Sequence, residues 1–200
     1  MEHLSRALAN KVGGALHYPP EQIEVLAYGF FGLLQTAFLL AGTALLGWAI
    51  GAFWPCLAAV LAGSLLRRFA GGAHASTPGR CALITLLVCG AAALAASLLA
   101  RSVSRPPLLA AYLAGCALCL AVVGARAPVD SPNKPLLSKE RCQRLRRGAL
   151  TVVGCYTAAG AAALVFGPGP LPAVAVAVLL AVLWQVLTLT RLGGKLLGRL

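Results

Sequence analysis

The chain has 200 residues, 60% of them apolar and only 11% charged, with a formal net charge of +12. Its mean hydropathy is +0.84. Soluble domains carry about 25% charged residues, so an ordinary soluble fold is excluded, and long uncharged stretches point to membrane spans. An open sheet is excluded in lipid because its edge amides would go unsatisfied.

The first segment, residues 3–16, places Leu4, Leu8, Val12 and Leu16 on one face, with Arg6, Asn10 and Lys11 elsewhere. That pattern predicts a short amphipathic helix lying in the membrane interface, ended by Tyr18-Pro19-Pro20. It lacks the continuous apolar core of a cleavable signal peptide, so the first span is expected to act as its own insertion signal.

Six apolar segments follow, at Val25–Ile50, Ala52–Leu66, Cys81–Ala100, Leu108–Gly124, Gly148–Phe166 and Leu171–Thr190. A span needs roughly 17–25 residues, so the first is long and the second short. The stretch Gly51-Ala52-Phe53-Trp54-Pro55 leaves their boundary open, with a tilted or re-entrant segment as alternatives. Gly167-Pro168-Gly169-Pro170 is a turn. The expected architecture is a single all-α membrane bundle over residues 1–200, with about six transmembrane helices and an N-terminal interfacial helix in residues 1–24.

Charge then orients the bundle. With the N-terminus inside, residues 1–24, 67–80, 125–147 and 191–200 face the cytoplasm and hold 15 of the 17 Lys and Arg. Only Arg101 and Arg105 fall outside. By the positive-inside rule this predicts a multi-pass cell-membrane protein with both termini cytoplasmic. The basic residues suit anionic lipid headgroups rather than nucleic acid. Gly47 and Gly51 form a GxxxG pair, which admits a homodimer.

The loop at residues 66–81 is where chemistry concentrates. A thiol attacks an amide only as thiolate. Thr77-Pro78 reads as an N-cap followed by proline at the first helical position, which puts Cys81 in the first turn. There the helix dipole favours an anion, with Arg80 adjacent and Arg67 and Arg68 entering the same loop. His74 can take the proton. In one straight helix the two residues would be separated by about 10 Å of rise. Gly71, Gly72, Pro78 and Gly79 are the expected hinges that bring them together, and the first-turn amides are candidate oxyanion donors. Asp130 and Asn133, on the same predicted side, are candidates to orient the imidazole. The bland alternatives are a cysteine packed at a helix start, a solvated histidine and an Asp-Ser-Pro-Asn turn.

Other groups carry less. Cys116 and Cys119 form CxxC inside an apolar run, without a second pair or a nearby histidine, which does not suit zinc. Cys142 lies among basic residues without a base beside it. Gln35 and Gln185 fit interhelical hydrogen bonds. No phosphate loop, HExxH, GxSxG or dinucleotide fingerprint is present. The chemistry proposed needs no metal or cofactor.

The stretch Arg67-Arg68-Phe69-Ala70-Gly71-Gly72-Ala73-His74, with Cys81 seven residues after His74, resembles the accessory gene regulator B (AgrB) family. The second loop, Ala127-Pro128-Val129-Asp130-Ser131-Pro132-Asn133-Lys134-Pro135, is similar too. The resemblance implies a membrane cysteine endopeptidase that cleaves a small precursor peptide near its C-terminus, with Cys81 as nucleophile and His74 as its partner. It implies an amphipathic substrate with an acidic tail and a cyclic thiolactone or lactone product for quorum sensing. The competing reading is a small membrane transporter or exporter of peptides without proteolytic activity; the scarcity of ionisable residues inside the spans counts against it.

Overall fold

A computed structural model describes residues 2–73, 77–129 and 138–198. They form α1 (Glu2–Ala15), α2 (Pro20–Ala49), α3 (Phe53–Ala70), α4 (Pro78–Ser102), α5 (Arg105–Arg126), α6 (Lys139–Phe166), α7 (Leu171–Leu187) and α8 (Arg191–Gly198). The protein is all-α, and α2 to α6 are long and apolar enough to cross a membrane. The chain divides into two compact units, the first ending at Gly42 and the second beginning at Thr43.

The first unit contains α1 and most of α2. Its α1 buries Ser5, Ala9 and Gly13 on one face. The helix ends in a Schellman turn: Tyr18 N donates to Gly13 O at 2.9 Å, His17 N to Gly14 O at 3.3 Å, and His17 takes φ 54°. That left-handed residue satisfies the last carbonyls before Pro19 and Pro20 redirect the chain.

The second unit is a bundle built around α7. This helix of 17 residues buries ten of them and packs against α3, α4, α6 and α5. At 1.5 Å per residue it is about 26 Å long, a little under a hydrocarbon core of about 30 Å. Small side chains explain its central place. Ala173, Ala175, Ala177 and Ala181 let neighbouring backbones come close, while Val176, Leu179 and Val182 fill the remaining space, the mode of helix packing expected in lipid.

The boundary left open between the first two apolar segments is a tight turn between two separate helices. Ala52 N donates to Gly47 O at 2.8 Å and Gly51 N to Trp48 O at 3.1 Å, with Gly51 at φ +67°. Gly47 sits where a methyl would meet Cys56 Cβ at 2.9 Å, so both glycines of the GxxxG pair are used within one chain.

Several helix ends differ from the sequence reading: α2 starts at Pro20 rather than Val25, and α3 runs on to Ala70 rather than Leu66. α6 begins at Lys139 rather than near Gly148, so the second half of the basic loop is helix. Ser138 caps it, accepting from Arg141 N at 3.2 Å. Lys and Arg are good helix formers, and a hydropathy window misses a helix that starts in them. The last segment also stops early, at Leu187, and the chain turns into α8 after Thr188, Leu189 and Thr190.

Two polar ladders tie the long helices together. Tyr112 on α5 is 2% exposed and donates through its hydroxyl to Tyr156 O on α6 at 2.6 Å. Tyr156 in turn donates to Ala62 O on α3 at 3.2 Å. Arg105 donates to Leu164 O, Val165 O and Gly167 O at 3.0–3.3 Å. It thus satisfies the last carbonyls of α6 and places a cation at the negative end of that helix's dipole.

Candidate active site at the start of α4

Helix α4 starts where the Thr77-Pro78 pair places it. Thr77 is extended (φ −135°, ψ 151°), its side chain accepts from Arg80 N at 3.3 Å, and Pro78 opens the helix. Cys81 N donates to Thr77 O at 3.1 Å, so the thiol is carried on the first turn. Cys81 is a free, half-buried cysteine, and its carbonyl accepts from Thr85 Oγ1 at 2.8 Å. The first-turn amides are less available than the sequence suggested. Those of Arg80 and Cys81 are committed to Thr77, leaving Gly79 N as the first-turn amide without a partner among the described residues.

The other side of the loop is a short strap, residues 71–73, pressed against the C-terminal end of α7. α3 ends at Ala70 and is capped by Gly71 (φ 70°, ψ −146°), whose N donates to Arg67 O. The buried Gln185 donates through Nε2 to Gly71 O at 2.7 Å. Ala73 N donates to Thr188 O at 3.1 Å, and the Arg67 guanidinium donates to Ala73 O. Val129 N, just past the end of α5, donates to Ala70 O at 3.0 Å, making an isolated parallel bridge between Gly71 and Val129. Arg146 Nε donates to Ala127 O at 2.7 Å and braces that third segment.

Gly71 and Gly72 have a different task here from the hinge expected of them. A methyl at Gly71 would sit 2.5 Å from Val129 O. One at Gly72, which has φ +131°, would sit 2.5 Å from Thr188 Oγ1. Glycine permits both the backbone conformation and the contact with α7 and Val129. These residues pin the strap, and Pro78 and Gly79 belong to the first turn of α4.

The predicted groups are therefore distributed as follows. Cys81 stands on the capped start of α4. Arg67 is turned onto the strap, and its Nε is buried without a partner among the described residues. Arg68 and Arg80 are exposed. His74, Asp130 and Asn133 lie outside the described residues. Cys116 and Cys119 are buried on the same stripe of α5 as Tyr112 and Val123. Gln185, read from sequence as an interhelical donor, is the strap's principal side-chain anchor. Thr188 and Arg146 were missed, because their partners are backbone groups remote in sequence.

The comparisons with known proteins concern the chain as a whole. A family model described as accessory gene regulator B matches residues 5–189. An AgrB-like protein of Clostridium perfringens (strain SM101 / Type A) is 25% identical over 206 residues, covering 98% of this chain and 94% of the relative. AgrB-like protein 2 of Clostridium perfringens (strain 13 / Type A) is 26% identical over the same length and coverage. No solved structure matches the chain.

Proposed function

The chain belongs to the accessory gene regulator B family, and on that premise we propose that this multi-pass membrane protein is a cysteine endopeptidase. Its substrate is a small precursor peptide, cut near the C-terminus as a step in making a quorum-sensing signal. The observation that carries this reading is the pair of anchors either side of a short linker. Ala73, the residue before His74, is held through both its N–H and its carbonyl. Thr77, four residues on, caps the helix that carries Cys81. Residues 74–76 are the only chain between them, so Ala73 and Thr77 lie within about 15 Å.

The chemistry follows from the two groups. The imidazole of His74 takes the Cys81 proton, and the thiolate attacks the scissile carbonyl carbon. The amide C–N bond then breaks. The leaving amine takes the proton back from the imidazolium, and the acyl group stays on Cys81 as a thioester. A thioester keeps the acyl group activated, so a thiol or hydroxyl of the same peptide can displace the Cys81 thiolate and close a ring. Water would give a linear acid instead, so cyclisation requires that water be excluded. Arg68 and Arg80 are exposed, and their charge suits an acidic peptide tail. The distribution of Lys and Arg supports a cytoplasmic location for this face.

Co-expression with the candidate precursor, followed by mass spectrometry of the peptide products, tests the reading. Cleavage should require both Cys81 and His74, while Cys81→Ala and His74→Ala still insert in the membrane. Persistent cleavage by Cys81→Ala would overturn the assignment of the nucleophile.

A further inference from the structure

At the end of α4 opposite Cys81, 20 residues and therefore about 30 Å along the helix, the second unit contains a cavity of about 520 Å³. It is formed where α2 and α4 finish and α3, α5 and α7 begin. Its walls include Trp48, Phe53, Trp54, Arg101, Arg105 and Leu108. Trp48 is 77% and Trp54 60% exposed, although both are large apolar rings on helices that cross the membrane. Tryptophan in that setting belongs to the interfacial belt, at the depth of the lipid headgroups.

The charge of this cavity is unbalanced. Arg105 is bound to three α6 carbonyls, which satisfies its donors but does not cancel its charge. Arg101 is exposed and makes no hydrogen bond or ion pair among the described residues. The chain has five carboxylates, Glu2, Glu21, Glu24, Asp130 and Glu140. All the residues lining the cavity come from 47–108 and 169–173, so none of the five is among them. Two guanidinium groups thus share an apolar, interfacial cavity whose described lining residues include no carboxylate. At that depth of a bilayer the abundant anion is a phosphodiester, and it arrives attached to acyl chains that suit walls of Leu108, Pro172 and Ala173.

We propose that this cavity is a phospholipid site, with the lipid phosphodiester held by Arg101 and Arg105 between Trp48 and Trp54 and an acyl chain in the apolar part. Arginine suits the task because its planar donor fork matches a phosphate, and both rings offer a flat face to the headgroup. The site is remote from the Cys81 loop and does not depend on the peptidase reading.

The test uses the full chain in detergent carrying Trp184→Phe, which leaves Trp48 and Trp54 as its tryptophans. It is titrated with phosphatidylglycerol brominated on its acyl chains. Tryptophan fluorescence should be quenched to saturation at one lipid per chain. Arg101→Gln, which removes a side chain that holds nothing in the fold, should weaken the apparent affinity about tenfold, the loss expected for one charge-assisted contact. Arg101→Lys should recover part of it. Brominated diacylglycerol, which lacks the phosphodiester, should quench weakly and without saturation. Equal quenching of the parent and Arg101→Gln, or by diacylglycerol and phosphatidylglycerol, would overturn the proposal. Competition by inorganic phosphate at concentrations comparable to the lipid would also overturn it, in favour of a free-anion site.

Discussion

Replacing Gly72 with alanine tests whether the strap before His74 must lie flat against α7. Two costs arise at once. The backbone φ of +131° is a region L-residues rarely enter, worth about 1–3 kcal/mol. The new methyl also falls 2.5 Å from Thr188 Oγ1 and 3.1 Å from Gln185 Nε2. Neither atom can retreat cheaply. Thr188 is buried and donates to Gln185 O at 2.7 Å, and Gln185 is held by Gly71 O. Overpacking of this kind costs roughly 1–3 kcal/mol. Against that, the strap is retained on α7 mainly by two hydrogen bonds, each worth about 1 kcal/mol net. The strain exceeds the retention, so the strap shifts off α7 and carries the attachment point of His74 with it.

The assay is precursor cleavage beside the thermal midpoint of the purified protein. Gly72→Ala should lose most of its cleavage while the bundle, which does not rest on the strap, keeps most of its stability. Adding Thr188→Ala removes the clashing hydroxyl and leaves the Thr188 carbonyl to accept from Ala73 N. It should restore part of the activity, since the φ cost remains, with a coupling of about 0.5–3 kcal/mol between the two sites. Wild-type cleavage by Gly72→Ala, or strictly additive effects of the two substitutions, would refute the reasoning.

Three further outcomes follow from the same geometry. Gln185→Ala leaves Gly71 O without its donor, a local loss of about 1–3 kcal/mol; kcat for cleavage should fall more than KM rises. Gly160→Ala drives a methyl into the hydroxyl end of Tyr112, so the thermal midpoint should drop by the equivalent of about 1–3 kcal/mol, with Tyr112→Phe in the same background recovering part of it. Arg105→Ala strips three carbonyls at the end of α6 of a donor and should destabilise the protein by about 1–3 kcal/mol, measured by thermal unfolding.

Much of the architecture is legible in the chain because hydropathy is a local property. Apolar runs of roughly the right length mark α2 to α7, and Thr77, Pro78 and Cys81 define a helix start within five residues. Local patterns stop being informative where a partner is distant. Gln185 looks like any polar residue in a span until α7 is seen to bring it to Gly71, 114 residues earlier. Arg105 reads as a lone outer charge, yet it closes the end of α6, about 60 residues away. The basic run from Lys139 to Arg147 reads as loop because charge masks helix propensity in a hydropathy window. Gly71 and Gly72 read as flexible because glycine permits motion, whereas the packing uses them for close approach. The His74–Cys81 pair is drawn from sequence and family resemblance, and what the structure contributes is the anchoring on either side.

The most direct measurement is to capture the acyl-enzyme. Purified protein mixed with the precursor peptide and quenched in acid should show, by intact-mass and peptide-mapping spectrometry, one peptide fragment bound to Cys81 through a hydroxylamine-sensitive thioester. The adduct should be absent from Cys81→Ala and build up far more slowly in His74→Ala. Precursor cleavage at the normal rate by Cys81→Ala, or turnover with the fragment attached to a different residue, would contradict the account.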